Sequence, residues 1–464
     1  MIEMVHCLWK RSPLLAQVGR IRVRSYGTIK ENSLITVKSC KLLRNSTFPE
    51  YVGSPHSKLH GMIWRQPLQN VYVVKKPWND DVRQAMYQFI RHLHDQYPAV
   101  NVIVSEDVVD ELIDETQEQG IRISESGPGS GPSPGSDVAG ATETHTKPSK
   151  GKITLYTGSV EDVVNKTDVI VTLGGDGTIL RAVSTFSNAC VPPVLSFALG
   201  TLGFLLPFDF SKFATTFKMV YESRAKVLHR SRLECHVVRK VPEMSDSESS
   251  LKKKQIQQWK RQQENHSLSM VHAMNDIVLH RGGQPNLSSM DIFIDNTHLT
   301  TTTADGLVFA TPTGSTAYSL SSGGSIVHPL VQCILLSPIC PRSLSFRPLI
   351  LPSISHVMIK MSEKNRNTSI KLSIDGIPQQ DLHPGDEIHV VSENGTIYPQ
   401  GNYAHLPAGI PTVKNNENMK PVPDTKASHH KGIWCVARSE TDWTSDINEL
   451  LGFNSSFKQN SRKE

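Results

Sequence analysis

The spacing of apolar residues changes once along this chain of 464 residues, at about residue 226. In the first part, short apolar runs alternate with segments whose apolar residues recur every three or four positions. The runs predict strands at 70–75, 100–104, 153–156, 168–173 and 194–198. The segments between them predict helices at 80–97, 106–118 and 211–223. Strands that alternate with helices indicate an α/β domain with a doubly wound, mostly parallel sheet.

After about residue 227 the period of the apolar residues becomes two, as in half-buried strands. This alternation predicts strands at 233–238, 290–295, 356–360, 369–374 and 387–391. Turn residues such as Asp295-Asn and Asp375-Gly separate them. The second part is therefore predicted to be an all-β domain with antiparallel strands.

Segments without apolar periodicity mark the boundaries. Residues 1–67 are predicted to be a transit peptide and a disordered lead-in, which places the α/β domain at 68–226. The all-β domain is expected at 227–410 and a tail at 411–464, where apolar spacing around Trp443 predicts a short docking helix. Two polar stretches interrupt the domains. They are a disordered insertion at 124–151 and a charged, solvated insertion at 240–268.

The net charge of +5 is concentrated at the start of the chain. Residues 1–24 hold five Lys and Arg residues against one Glu, and hydroxyl residues follow at Ser25 and Thr28. This composition is typical of a mitochondrial transit peptide and predicts a matrix location, although a disordered basic arm would look similar. Because the remainder is close to neutral, the charge gives no support for a nucleic-acid partner.

Cysteine usage and hydropathy add two further expectations. The seven cysteines are odd in number and lack Cys-x-x-Cys spacing, so reduced thiols are expected instead of disulfides or a zinc site. This agrees with a reducing compartment such as the matrix. No apolar run reaches the roughly 20 residues that span a bilayer, so no membrane association is predicted.

A glycine-rich turn directly follows the predicted strand at 168–173. It reads Gly174-Gly-Asp-Gly-Thr178, and a helix-like segment comes next. Glycines let backbone N–H groups approach phosphate oxygens, so Gly174, Gly175 and Gly177 are predicted to form a phosphate cradle. A carboxylate repels phosphate, and Asp176 is therefore predicted to act on a hydroxyl. The alternative is that Asp176 only caps the helix.

Two further segments carry candidate chemistry in the second part of the chain. Residues 311–318 read Thr-Pro-Thr-Gly-Ser-Thr-Ala-Tyr, and small residues that permit close ligand approach follow them. Asn275 and Asp276 begin an alternating run. Each feature has a purely structural alternative: a strand-entry turn for Asn275 and Asp276, a hairpin turn for Asp305, and core packing for Tyr318.

The chain resembles the NAD kinase family over roughly residues 68–405, because it contains, in this order, Gly-Gly-Asp-Gly-Thr, Asn-Asp and Thr-Pro-Thr-Gly-Ser-Thr-Ala-Tyr. Segments 74–78, 199–204, 230–233 and 345–352 also look like that family, and the resemblance is greatest to the fungal mitochondrial NADH kinases. It implies a Rossmann-like domain followed by an all-β domain. It also implies transfer of the γ-phosphoryl of ATP to the 2′-hydroxyl of the adenosine ribose of NADH or NAD. Mg²⁺ carried with ATP and a homo-oligomer are further expectations.

The resemblance also implies roles for individual residues. Asp176 would accept the proton of the 2′-hydroxyl. Asn275 and Asp276 would hold adenine and ribose, and Asp305 would accept from the nicotinamide carboxamide. Arg181 could neutralise the pyrophosphate, or it could simply face solvent. The residues expected to contact the dinucleotide are Gly175, Gly177, Thr178, Arg181, Asn275, Asp276, Asp305, Thr316, Ala317, Tyr318 and Ser321.

Two other functions remain open from the sequence. Lipid kinases of the diacylglycerol or sphingosine type also carry Gly-Gly-Asp-Gly-Thr before an all-β domain, but residues 275–276 and 311–318 argue against them. A non-catalytic dinucleotide-binding regulator would keep the cradle and lose turnover, and the intact Asp176 argues against that. No motif distinguishes NADH from NAD.

Overall fold

The computed structural model describes residues 35–112, 153–200, 203–239, 271–362, 365–393 and 431–452. Within these ranges the helices are α1 (Asp80–Gln96), α2 (Val160–Lys166), α3 (Asp176–Ser184), α4 (Phe213–Tyr221), α5 (Tyr318–Ser321) and α6 (Asp442–Leu451). A further helical stretch covers 106–112. No helix in these ranges is long and apolar enough to cross a membrane. The predicted transit peptide and the insertions at 124–151 and 240–268 lie outside the described residues.

The first sheet has a parallel core flanked by antiparallel additions. Its strands are β1 (Ile35–Ser39), β2 (Glu50–Val52), β3 (His60–Ile63), β4 (Asn70–Lys75), β5 (Asn101–Ile103), β6 (Ile153–Thr157), β7 (Val169–Gly174), β8 (Val194–Ala198), β9 (Phe208–Asp209), β10 (Lys226–Arg230) and β23 (Ile433–Ala437). Strands β1, β6, β5, β4, β7 and β8 follow one another in parallel. The predicted α/β fold class is confirmed.

Strand β7 lies between β4 and β8, and all six of its residues are buried. Burial on both faces explains why its sequence is a continuous apolar run without alternation. Helix α1 covers one face of this sheet through Met86, Phe89 and Leu93, and the side chain of Asn79 caps it by accepting from the N–H of Val82. The strand end that carries the glycine-rich turn is therefore held firmly in the sheet.

The prediction of a disordered lead-in is wrong for residues 35–63. Strand β1 pairs with β6, and β2 and β3 extend the sheet beside β10. The tail from 411 contains the predicted helix, α6, but also β23, which lies between β8 and β10 inside the sheet. Strand β10 belongs to the first sheet, so the predicted start of the second domain at 227 is too early. These strands are only three to five residues long, too short to show a period.

The second domain contains two six-stranded antiparallel sheets, as the all-β prediction requires. Its strands are β11 (Leu233–Val238), β12 (His272–Ala273), β13 (Asp276–His280), β14 (Ser288–Ile294), β15 (Thr297–Ala304), β16 (Gly306–Ala310), β17 (Cys333–Ile339), β18 (Leu349–Pro352), β19 (Val357–Met361), β20 (Lys371–Ile374), β21 (Ile377–Pro378) and β22 (Glu387–Ser392). Alternate residues of both sheets, among them Ile292, Phe309 and Ile388, form one buried core. The two sheets thus pack face to face.

Candidate active site

Asp176 lies at the junction between β7 and α3. It is the first residue of the helix, and Gly175 occupies the capping position without a side-chain cap bond. The carboxylate of Asp176 instead accepts from the N–H of Leu205 at 3.2 Å and from the N–H of Phe204. Burial raises the pKa of Asp176, while these two N–H groups and the charge of Arg230 act in the opposite direction. Asp176 is therefore not a helix cap, and it is held as a half-buried carboxylate.

The loop that returns from β8 passes very close to this carboxylate. A Cβ added at Gly203 would lie 2.2 Å from Oδ1 of Asp176 and 2.7 Å from its Cγ. Real Cβ atoms do not approach oxygen so closely, so only glycine fits here without displacing the carboxylate. Gly203 and Phe204, at the end of the sequence motif at 199–204, therefore contact Asp176 directly, a role that the pattern of the motif did not reveal.

The glycines of the turn have two different roles. Gly174 has φ +148°, and an added Cβ would lie 2.5 Å from Oγ1 of Thr178, so the backbone itself requires glycine there. Around Gly175 and Gly177, no described atom lies within 4 Å of an added Cβ. The turn thus presents open backbone beside Asp176, which suits the predicted cradle for phosphate oxygens.

Asn275 and Asp276 are held by a second acidic residue, Asp375. The carboxylate of Asp375 accepts from the N–H groups of Met274, Asn275 and Asp276 at 2.8, 2.7 and 3.1 Å. Gly314 packs on the carbonyl of Asn275 so closely that an added Cβ would lie 2.0 Å from its oxygen. Asn275 and Asp276 are both buried, with 9% and 7% exposure. This arrangement is much more elaborate than an ordinary strand-entry turn.

Asp276 has a pKa that is shifted close to neutral pH. Burial and then the neighbouring charge of Asp375 raise the pKa of Asp276 to about 7. The N–H of Tyr318 donates to the carboxylate of Asp276 and lowers its pKa in part. The Asn-Asp pair and the Thr-Pro-Thr-Gly-Ser-Thr-Ala-Tyr segment, which are separated in sequence, are thus joined by hydrogen bonds.

The last residues of the segment that ends in Tyr318 are accessible, whereas residues 311–315 are buried. The side chain of Tyr318 is 40% exposed, so the core-packing alternative is wrong. Thr316 and Ala317 are half-buried and Ser321 is exposed. Their predicted contacts with a dinucleotide are therefore sterically open.

Asp305 lies between β15 and β16 and forms an ion pair with Nε of Arg281. Burial raises the pKa of Tyr318, and the charges of Cys340, Asp305 and Asp276 add to that effect. Asp305, Tyr318 and Asp276 therefore surround a common region. Arg281 was not singled out from the sequence, because an arginine next to a turn has no distinctive pattern.

Arg181 forms an exposed ion pair with Asp107. Its Nη2 lies 3.4 Å from Oδ2 of Asp107, and both side chains are more than half exposed. This geometry agrees with the solvent-facing alternative. Its contact with a dinucleotide stays a prediction that would require the side chain to leave Asp107.

Arg230 lies at the site, although the sequence predicts no contact for it. It ends β10 and is only 9% exposed. Its Nη1 donates to Oγ1 of Thr313 at 3.2 Å, and its Nη2 donates to the carbonyl of Phe204 at 3.4 Å. Arg232, two residues later, instead forms a buried ion pair with Glu393 at 2.5 Å. The only sequence signal was that residues 230–233 look like a family element.

The described residues contain no group of three or more His, Cys, Asp or Glu side chains arranged to hold a metal ion. The polar groups around Asp176 and Asp276 are already engaged with backbone N–H groups.

Comparisons with known proteins agree with this arrangement. Residues 71–225 match the model for the ATP-NAD kinase N-terminal domain, and residues 274–397 match the ATP-NAD kinase C-terminal domain. The chain is 49% identical to the mitochondrial NADH kinase POS5 of Saccharomyces cerevisiae, over 95% of this chain and 96% of that protein. It is 33% identical to the mitochondrial NADH kinase pos5 of Schizosaccharomyces pombe, over 96% of this chain and 91% of that protein.

A solved structure gives the same result. The crystal structure of yeast NADH kinase complexed with NADH has a TM-score of 0.68 and 48% identity, and it covers 91% of this chain and 99% of that one. The mitochondrial relatives confirm the predicted mitochondrial localisation. The lipid kinase alternative loses its support, because both domain models are those of NAD kinases. The chain belongs to the NAD kinase family and is an ATP-dependent kinase of NAD(H).

Proposed function

We propose that Asp176 is the base of this kinase and that NADH is its preferred acceptor. The carboxylate accepts the proton of the 2′-hydroxyl on the adenosine ribose as that oxygen bonds to the γ-phosphorus of ATP. The bond from the γ-phosphorus to the β,γ-bridging oxygen breaks, and ADP leaves. The observation that carries the proposal is the position of Asp176 beside the open backbone of Gly175 and Gly177.

The raised pKa of Asp176 suits this role. A carboxylate that is partly desolvated is a better proton acceptor than one in water, because burial destabilises its charged form. The N–H groups of Leu205 and Phe204 fix its direction, so that it does not have to reorient during the reaction. Asp176 therefore combines basicity with a fixed position.

The dinucleotide would lie across the two domains. Gly174, Gly175 and Gly177 would cradle phosphate oxygens, while Asn275 and Asp276 would hold the adenosine. The residues proposed at the remaining contacts are Thr178, Asp305, Thr316, Ala317, Tyr318 and Ser321. Support comes from the hydrogen bond that the N–H of Tyr318 donates to Asp276. The charges of Asp305 and Asp276 also both act on Tyr318, so these three proposed contact residues lie close together.

The preference for NADH is supported by the two relatives named NADH kinases. Mg²⁺ would enter with ATP and neutralise the charge that develops on its phosphates. A homo-oligomer in the mitochondrial matrix completes the proposal, and the oligomeric state can be measured by light scattering of the purified protein.

The test compares NADH and NAD at equal concentrations with ATP and Mg²⁺, in wild type and in Asp176→Asn. We expect faster NADPH formation from NADH, and a loss of turnover in the variant of about 10² to 10⁴-fold, the usual contribution of a general base. Binding of NADH, followed by its fluorescence, should survive in the variant. Asp81→Asn is the matched control, because Asp81 is an exposed acid in the first turn of α1.

Two outcomes would oppose the proposal. Wild type that binds NADH but forms no NADPH would support a dinucleotide-binding regulator. An Asp176→Asn variant that keeps wild-type turnover would show that another group accepts the proton.

A further inference from the structure

We propose that Arg230 is a positioning residue that orients Asp176 through the peptide unit between Phe204 and Leu205. The proposal rests on the proposed role of Asp176 as the base. Arg230 acts on Asp176 through this peptide unit, since no hydrogen bond joins the two side chains directly.

The connection runs through one planar group. Nη2 of Arg230 donates to the carbonyl oxygen of Phe204 at 3.4 Å. The N–H of Leu205 belongs to the same peptide unit and donates to Oδ1 of Asp176 at 3.2 Å. Because a peptide unit is planar and rigid, a donor that holds its oxygen also fixes the direction of its N–H. The donor also polarises the unit, which strengthens the second hydrogen bond.

A second anchor ties this arrangement to the other domain. Nη1 of Arg230 donates to Oγ1 of Thr313, at 3.2 Å. Thr313 lies in the segment whose end donates to Asp276, whereas Phe204 and Leu205 follow β8 of the first sheet. The planar fork of one guanidinium thus sets the position of Asp176 relative to the segment proposed to bind the dinucleotide. A lysine cannot make both contacts in this geometry.

The charge of Arg230 is not neutralised by a close carboxylate. No ion pair within 4 Å involves it among the described side chains, although it is almost fully buried. The Nε of Arg230 is buried and has no hydrogen-bond partner among the residues that the structure describes. The charge of Arg230 influences Asp176 on α3, Asp446 on α6 and His328. It also influences Cys435 on β23, to which Arg230 makes a side-chain hydrogen bond. Its field therefore reaches the proposed base.

The two effects of Arg230 predict separate kinetic changes. In Arg230→Met, the carboxylate of Asp176 loses its fixed direction, and we expect kcat to fall about 10²-fold, as for a misplaced catalytic group. Because the charge of Arg230 lowers the pKa of Asp176, its loss should move the acidic limb of kcat/KM to higher pH. The KM for NADH should change less than about twofold, since no binding contact is removed.

Arg230→Lys separates charge from geometry. The acidic limb should return towards its wild-type position, while kcat should remain about 10-fold low because the two-pronged contact is missing. Arg232→Lys is the control. Arg232 is also buried and lies two residues away, but it contacts Glu393 and the carbonyl of Ala189 instead of Phe204. That variant should lower Tm without moving the acidic limb.

The assays use the full chain with ATP, Mg²⁺ and NADH, and NADH fluorescence verifies that each variant binds. Wild-type kcat and pH profile in Arg230→Met would overturn the inference. So would a raised KM at unchanged kcat, which would make Arg230 a binding residue. If Arg230→Met does not fold, Arg230→Lys decides by its kcat. An inactive wild type, or an active Asp176→Asn, would instead refute the proposed function itself.

Discussion

Replacing Gly203 by alanine should disable Asp176 with a single methyl group. The added Cβ would lie 2.2, 2.7 and 2.8 Å from Oδ1, Cγ and Oδ2 of Asp176, whereas ordinary contacts begin at 3.4 Å. The carboxylate must therefore move by about 1 Å, a displacement that costs about 10²-fold in rate when it affects a reacting group. Gly203 does not have a positive φ, so alanine causes no backbone strain there.

The assay is steady-state formation of NADPH from NADH, accompanied by thermal unfolding. We expect kcat to fall about 10²-fold. Crowding of this kind costs typically 1–3 kcal/mol, so Tm should fall by only a few degrees. Gly283→Ala is the control, since no described atom lies within 4 Å of the added Cβ and the glycine is exposed. That variant should retain wild-type kcat.

A double variant tests the mechanism of the loss. If Gly203→Ala acts only through Asp176, then adding it to Asp176→Asn should cause little further decrease in kcat, because residues that act as a unit are not additive. Wild-type kcat in Gly203→Ala would refute the argument. Full additivity in the double variant would show that the methyl group disturbs something other than Asp176.

Three further changes give outcomes that the structure specifies. The pKa of Asp276 is raised from 3.8 to about 7 in the folded protein, so its contribution to the free energy of unfolding is full below pH 4 and is lost as the pH rises through 7. Asp276→Asn should therefore reduce the fall in the free energy of unfolding between pH 4 and 7, measured by urea titration without ligand. Asp375→Asn replaces one carboxylate oxygen by an amide nitrogen, which cannot accept a hydrogen bond, so at least one of the N–H groups of Met274, Asn275 and Asp276 loses its acceptor. We expect a loss of about 1–3 kcal/mol in the same titration and a higher KM for NADH. An unchanged KM would separate Asp375 from the site. Arg232→Met removes the guanidinium that pairs with the buried carboxylate of Glu393. We expect the free energy of unfolding to fall by about 3–5 kcal/mol. A fall below about 1 kcal/mol would mean that water takes the place of the guanidinium.

Much of the fold could be predicted because its strongest signals are local. Strand β7 is buried on both faces, so its sequence is a continuous apolar run, and the glycine turn after it shows where ligands bind. The period-two residues of the second domain follow from sheets that bury one face in a shared core. Asp176 was identified for the same reason, since the residues that surround it in sequence already form an unusual turn.

The short strands could not be predicted, because their partners are distant in sequence. Strand β10 pairs with β23 across about 200 residues, and β1 pairs with β6 across more than 100. An apolar run of five residues identified β8, but β1, β2 and β3 contain no such run, so only pairing with the sheet reveals them as strands. Strand β23 is an apolar run, and its place in the first sheet follows only from its pairing with β8 and β10.

The sequence by itself determined the order of the domains, the position of the glycine turn and the chemical types of the residues at the site. The tertiary structure decided which groups act on Asp176. Gly203, Arg230 and Thr313 belong to three separate segments, and their relation to Asp176 depends on distances of a few ångströms between loops of different strands. Periodicity describes which face of an element is buried, but it contains no information about which loops then meet. Close approach between such loops arises only when the strands of the first sheet pair and, for Thr313, when the second domain packs against that sheet.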